Sequence, residues 1–278
     1  MLHETAFAKI NLALHVRRRR ADGYHDIETV FAFAADGDAL SAELADDISL
    51  ELTGPFGAVL AVDPADNLVL RAARALQQAF AIPHAARLVL DKRLPVASGI
   101  GGGSADAAAA LRLLARLWRI DPADHRLMVI AEQLGSDVPA CLGSITGWAD
   151  GRGFPVQPIA AAGLAGTPLL LVNPGVAVAT GSVFAGWDRV DRGPLSQAGG
   201  IAAALAGRND LQRSAVTLAP VIGDLLATLE DTAPLVARMS GSGATCFALY
   251  DSLAARDAAA ARLHSGHPGC WTLITTIR

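Results

Sequence analysis

Pro95-Val96-Ala97-Ser98-Gly99-Ile100-Gly101-Gly102-Gly103-Ser104-Ala105 lies between a strand predicted over residues 87–90 and an alanine-rich helix predicted over residues 104–118. Strand, glycine loop and helix N-terminus together make an anion-binding design. Glycines let the backbone come close to a ligand and turn its N–H groups toward one point, and the positive end of the helix dipole favours a phosphate there. A flexible turn that merely caps a helix is the plainer alternative, and four glycines in the five positions Gly99 to Gly103 weigh against it. Two familiar phosphate loops fail on spacing. The Walker pattern ends in Gly-Lys-Ser/Thr, whereas Gly102 is followed by Gly103 and Ser104. The dinucleotide fingerprint has a glycine where Ser104 stands and needs a ribose-binding acid at the end of the next strand.

Working outward, residues 5–16 alternate in the manner of a strand, with Ala8, Ile10, Leu12 and Leu14 on one face and Phe7, Lys9, Asn11 and Ala13 on the other. A lysine in mid-strand ordinarily marks a solvated face. Residues 17–23 read as a polar turn, residues 27–34 as a returning strand, and residues 47–52 as a further strand. Helices are predicted over residues 67–80 and 122–134, the latter opened by Asp121-Pro122 and stopped by Gly135. Asp150-Gly151-Arg152-Gly153-Phe154-Pro155 gathers turn formers, and it divides the chain into expected domains of residues 1–152 and 153–278. Beyond it, strands at 169–172, 245–250 and 271–277 interleave with helices at 219–229 and 253–264, which predicts an α+β sandwich.

Composition bounds the rest. The chain has 278 residues, 52% hydrophobic and 18% charged, enough for two globular domains or one large one. A net charge of −4 exerts no general pull on nucleic acid or on an anionic membrane, so phosphate binding has to be local. The exception is the run Arg17 to Arg20, which reads as solvated surface at a turn. Met1 to Thr5 show no basic leader, and no segment reaches the roughly 18 uncharged apolar residues of a spanning helix; a cytoplasmic protein is expected. Cys141, Cys246 and Cys270 read as free buried thiols, and the histidines show no zinc-binding spacing.

A second glycine cluster, Met239-Ser240-Gly241-Ser242-Gly243-Ala244, would alone be an ordinary turn or bulge before a strand. In company it says more. The order of a lysine-bearing first strand, the Pro-x-x-x-Gly-Ile-Gly-Gly-Gly-Ser loop and the Gly-Ser-Gly-Ala segment resembles the GHMP kinase superfamily. Ala8-Lys9-Ile10-Asn11-Leu12, Arg20-Ala21-Asp22-Gly23-Tyr24-His25 and Leu134-Gly135-Ser136-Asp137-Val138-Pro139 resemble its branch that acts on 4-diphosphocytidyl-2-C-methyl-D-erythritol. The resemblance implies a two-domain α+β fold: an N-terminal ribosomal-protein-S5-like ATP-binding domain, a C-terminal ferredoxin-like α/β sandwich, and an active site in the cleft between them. It also implies ATP as co-substrate on residues 95–105, accompanied by Mg2+ whose ligands the sequence does not reveal. The γ-phosphate would pass to the C2 hydroxyl of the cytidine-diphosphate-linked acceptor. No nucleic-acid or membrane partner is implied, and a monomer or weak homodimer is expected. In one departure, many relatives carry two serines where this chain has Ser104-Ala105, so Ser104 carries more of the expected phosphate or magnesium contact.

The same resemblance assigns roles residue by residue. Asp137 matches the catalytic base, although Gly135 before it and Pro139 after it also suit a helix-capping aspartate. Lys9 matches its electrostatic partner, and Asn11, two residues on along the same strand face, would reach the same substrate region. Tyr24 and His25 match the residues that read cytidine, and Phe184 the ring on the other side of the base, where a lone phenylalanine is otherwise core packing. Thr180 and the turn Gly241, Ser242 and Gly243 fall on the substrate side. Kinases of homoserine, mevalonate or sugars share both glycine loops, and the Tyr24-His25 segment argues against them. A regulator that had lost catalysis would show a broken lysine or aspartate, whereas Lys9 and Asp137 are both present.

Overall fold

Two long strands, β1 (Leu2–Arg19) and β2 (His25–Ala45), pair with each other across a turn at residues 20–24. Both outrun the lengths predicted for them. Arg17 to Arg19 continue β1 rather than turning, because acids placed around the hairpin neutralise the run: Arg18 and Arg20 both bind Asp26, and Arg17 binds Asp191 at 3.1 Å. The turn itself needs Gly23, whose φ of +88° lies in the left-handed region.

The computed structural model describes the chain apart from residues 61–65, 152, 154, 160–162 and 197–199. It divides into two compact units, one made of Met1–Ala8, Asp36–Val96 and Gly101–Ser144, the other of Lys9–Ala35, Ala97–Ile100 and Ile145–Arg278. Both β1 and β2 therefore contribute to both units.

In the first unit β3 (Ser49–Thr53) runs parallel to β4 (Ala85–Asp91), which lies antiparallel to the second half of β2, with Ala39 opposite Asp91 and Ala45 opposite Ala85. A short α1 (Gly57–Leu60) is followed by α2 (Leu68–Ala79), whose first turn is capped by Asn67 Oδ1 accepting from the Val69 N–H. The central helix is α3 (Gly102–Leu117), and its buried alanines 105, 107–110 and 115 let α2, α4 (His125–Leu134) and α5 (Val138–Gly143) pack close around it. Two helix starts differ from expectation. The helix predicted from residue 104 begins at Gly102, because the left-handed Gly101 rather than a serine cap opens it. The helix predicted from Pro122 begins at His125, because Asp121 accepts from the Ala123 and Asp124 N–H groups and closes a separate turn, leaving Asp124 as the cap.

In the second unit the first half of β2 pairs with β5 (Gly147–Ala149), and β5 with β6 (Val156–Pro158). The remainder builds an antiparallel sheet from β7 (Pro168–Asn173), β8 (Val236–Met239), β9 (Cys246–Leu249) and β10 (Trp271–Thr276), ordered β10-β7-β9-β8. α9 (Val221–Glu230) packs on β8 and β9, and α10 (Leu253–Gly266) on β7 and β10. That β-α-β-β-α-β order is the ferredoxin-like arrangement, as expected. Leu170, Val172, Cys246 and Ala248 meet Leu225, Leu229 and Leu263 in its core. Between β7 and α9 run α6 (Thr180–Ala185), α7 (Gly200–Ala206) and α8 (Gln212–Leu218).

All three cysteines are free; Cys141 and Cys246 are buried and Cys270 half-buried, and burial pushes the Cys246 thiol well up. Arg152 and Phe154, in the stretch read as a domain boundary, lie outside the described residues. Among the described residues, no helix is long and apolar enough to cross a membrane.

Candidate active site

The glycine loop has the backbone that its composition predicts. Ala97 (φ 52°), Gly99 (φ 79°) and Gly101 (φ 64°) are left-handed, while Ser98 and Ile100 between them are not. Alternating handedness of this kind turns successive N–H groups to one side, the geometry of an anion nest. Gly101 heads α3 without any side-chain cap, so the first N–H groups of a 16-residue helix face outward with the positive end of its dipole. Gly103 is exposed, and a Cβ there would meet only Leu68 Cδ1, at 3.6 Å. Ser104 is half-buried, whereas Ala105 is buried within the helix packing.

Behind the loop, in the same unit, lies an ionic cluster that sequence reasoning did not find. The Lys92 ammonium sits 2.6 Å from both Asp38 and Asp106, and a Cβ on Gly102 would come within 3.1 Å of it. Asp38 also accepts from the N–H groups of Arg93 and Leu94, which fixes the chain's entry into the loop. All three side chains are buried, and no group among the described residues reaches Asp106 Oδ1. Burial pushes the Asp106 carboxyl up to about 7 against the pull of Lys92, with the Asp38 charge adding to the rise.

The middle of the loop belongs to the second unit, where the other glycine segment holds it. Lys9 N–H donates to Ile100 O at 3.0 Å and Thr245 N–H to Ser98 O at 3.1 Å. The Ser240 hydroxyl accepts from the Asn11 N–H at 3.1 Å and donates to Gly99 O at 2.9 Å. A Cβ on Gly99 would fall 2.6 Å from Ser240 O and 2.7 Å from Gly243 O, so only glycine fits between the two segments. Residues 239–244 are thus no isolated turn.

Lys9 and Asn11 share one face of β1, and that face is buried: each is only 5% exposed. The Lys9 ammonium lies 5.7 Å from the centre of the Phe31 ring, and Asn11 Nδ2 donates to Thr29 Oγ1 at 2.9 Å. A buried lysine on an internal strand face is what a site needs and what a solvated face would not show. Asp137, in the first unit, is half-buried at the head of α5 and makes no capping bond to that helix. The capping role that its neighbours suggest is not taken up. α5 is instead held at its other end, where Arg112 donates to Cys141 O at 2.7 Å and to Thr5 O at 2.9 Å.

The aromatic residues come together in the second unit. The His25 ring lies 5.0 Å from that of Phe184 at a tilt of 32°, and meets Trp187 edge-on at 5.7 Å. Burial, with help from the Arg19 charge, holds His25 below its ordinary range, so its ring is neutral at pH 7 and offers one donor and one acceptor. Tyr24 is 55% exposed. Thr180, at the start of α6, joins its hydroxyl to that of Ser242 at 2.9 Å. Trp187 was missed; its only signal was its place three residues after Phe184 at the end of α6. Among the described residues, no group of three or more histidine, cysteine, aspartate or glutamate side chains could hold a metal ion.

Comparison with known proteins agrees with this geometry. The family described as GHMP kinases N terminal domain matches residues 67–144, and GHMP kinases C terminal matches residues 194–268. A 4-diphosphocytidyl-2-C-methyl-D-erythritol kinase of Rhizorhabdus wittichii is 57% identical over 277 residues, covering 99% of this chain and 94% of that protein. One of Sphingopyxis alaskensis is 50% identical over 280 residues, covering 100% and 99%. A crystal structure of 4-(cytidine 5'-diphospho)-2C-methyl-D-erythritol kinase superposes with a TM-score of 0.83 at 33% identity, covering 99% of each chain. A homoserine kinase from Cytophaga hutchinsonii, at 18% identity and a TM-score of 0.69 over 98% of this chain and 95% of its own, shares the fold. With its glycine loop, its buried strand-borne lysine and relatives that match end to end, the chain belongs to the 4-diphosphocytidyl-2-C-methyl-D-erythritol kinase family of the GHMP kinases.

Proposed function

We propose that the protein transfers the γ-phosphate of ATP to the C2 hydroxyl of 4-diphosphocytidyl-2-C-methyl-D-erythritol, a step in the non-mevalonate route to isoprenoid precursors. The observation that carries the kinase reading is the left-handed alternation at Ala97, Gly99 and Gly101 running into the uncapped start of α3. The names of the full-length relatives support the acceptor. Phosphoryl transfer asks a protein for positioning and charge stabilisation more than for covalent chemistry. In this reading Pro95 to Ala105 cradle the ATP phosphates, with Mg2+ brought in on the nucleotide and Ser104 carrying more of the phosphate or magnesium contact. Asp137 receives or orients the proton of the acceptor hydroxyl, and Lys9 offsets the negative charge that develops there. Asn11, Thr180 and Gly241 to Gly243 line the acceptor side. Tyr24, His25 and Phe184 take the cytosine, the rings by stacking and the neutral His25 by pairing with the base edge. We further propose domains of residues 1–152 and 153–278, and a cytoplasmic enzyme that is a monomer or weak homodimer.

A phosphotransfer assay with ATP tests this directly, offering the cytidine-diphosphate acceptor beside mevalonate, homoserine and galactose. Turnover of the first alone is expected, and preference for any other would overturn the acceptor assignment. Phe184→Ala should weaken the acceptor by about 1–3 kcal/mol, the range for a lost base-stacking contact, with the ATP KM unchanged. A parallel rise in the ATP KM would take Phe184 out of the acceptor site.

A further inference from the structure

The outer edge of β1 is where the second unit is bound together. Four N–H groups of this strand are taken by segments outside the named strands: Lys9 donates to Ile100 O, Asn11 to the Ser240 hydroxyl, Leu14 to Arg208 O in a single bridge with Asn209, and Val16 to Asp210 Oδ2. An exposed edge needs such partners, and side chains or loops can supply them. Of these partners the Ser240 hydroxyl alone passes the bond on, to Gly99 O in the middle of the glycine loop. Ser240 is fully buried, and its position is fixed on every side. Its N–H donates to Thr245 O, its carbonyl accepts from the Gly243 N–H, and Asn209 Nδ2 holds the flanking Met239 and Gly241 carbonyls at 2.7 and 2.8 Å.

We propose that Ser240 is a positioning residue that couples the two halves of the kinase reaction through one hydroxyl. It sets the nucleotide loop at Gly99 and the acceptor-side strand at Asn11 in a single fixed relation, and Asn209 keeps it in register. This rests on the phosphotransfer reading above. A serine side chain fits the task because one O–H can accept from an N–H and donate to a C=O at once. Without it both backbone groups stay buried and unpaired, and each segment relaxes away from the other.

Ser240→Ala is therefore expected to raise the KM for ATP and the KM for the acceptor together, each by about five- to tenfold. It should also abolish any mutual tightening between a non-hydrolysable ATP analogue and the acceptor in binding titrations. Ser252→Ala, which removes the N-cap of α10 far from these segments, provides the comparison: a lowered Tm with both KM values unchanged. If Ser240→Ala only lowers Tm, as Ser252→Ala does, or raises one KM alone, the coupling role is wrong. Should Ser240→Ala not fold, Ser240→Cys keeps the volume, weakens both bonds and gives the same readout. A parent protein that fails to phosphorylate the acceptor would overturn the phosphotransfer reading instead, and the analogue titration would still report on the loop.

Discussion

Asp137→Asn is expected to fold and to bind ATP as the parent does, yet to turn over at least about a hundredfold more slowly, the lower range for a group that accepts or orients a proton. The amide has the size of the carboxylate and cannot take the proton. The exchange removes no side-chain cap bond from helix α5, whose far end is held by the Arg112 contacts. The loss should fall on kcat with little change in either KM, because the interaction belongs to the transition state. Steady-state kinetics at saturating ATP and acceptor, with a thermal melt to show folding, decide the matter. Turnover near that of the parent in a folded variant would remove Asp137 from the mechanism.

Lys92→Met should carry the largest cost to stability. It leaves Asp38 and Asp106 facing each other in a buried site without their shared cation, and breaking a buried ionic cluster at one partner costs about 3–5 kcal/mol. Urea titration measures this against a total of about 5–15 kcal/mol for an ordinary protein. A midpoint within error of the parent would mean the cluster is not formed in solution. The cluster also sets a pH dependence. Because the Asp106 carboxyl lies near 7 when folded and near 3.8 when exposed, the folded chain holds a proton between those values that the unfolded chain has lost. Its effect on stability is therefore neutral at the acid end and grows unfavourable as pH rises through the window. Asp106→Asn should flatten that decline, which unfolding titrations at pH 5, 6 and 7 would reveal.

The glycine loop was legible because its composition is itself the chemistry: glycines where the backbone must turn left-handed, followed by a helix start. The register of α3 was off by two residues because a backbone angle at Gly101, rather than a capping side chain, opens the helix. Periodicity put Lys9 and Asn11 on one face of β1, but it could not show that this face is covered, since burial depends on segments far along the chain. Asn11 and Ser240 are 229 residues apart. Separation in sequence likewise hid the Lys92 cluster, whose acids lie 54 and 14 residues away, and the Trp187 edge beside His25. Strands and helices of three to seven residues, such as β5, β8 and α6, are too short for their period to stand out against the loops around them. The family resemblance supplied His25 and Phe184, a pair that no spacing rule would join.

The interleaving of the two units has a consequence for how the chain is made. By the time a ribosome has added Ser144, every residue of the first unit has been synthesised, and that unit can settle while the rest is still being translated. Residues Lys9 to Ala35 emerge early but belong to the second unit. The Asn11 N–H must wait for Ser240, which at about 5–20 residues per second is a delay on the order of tens of seconds. Throughout that interval the edge of β1 is an open template for other nascent strands.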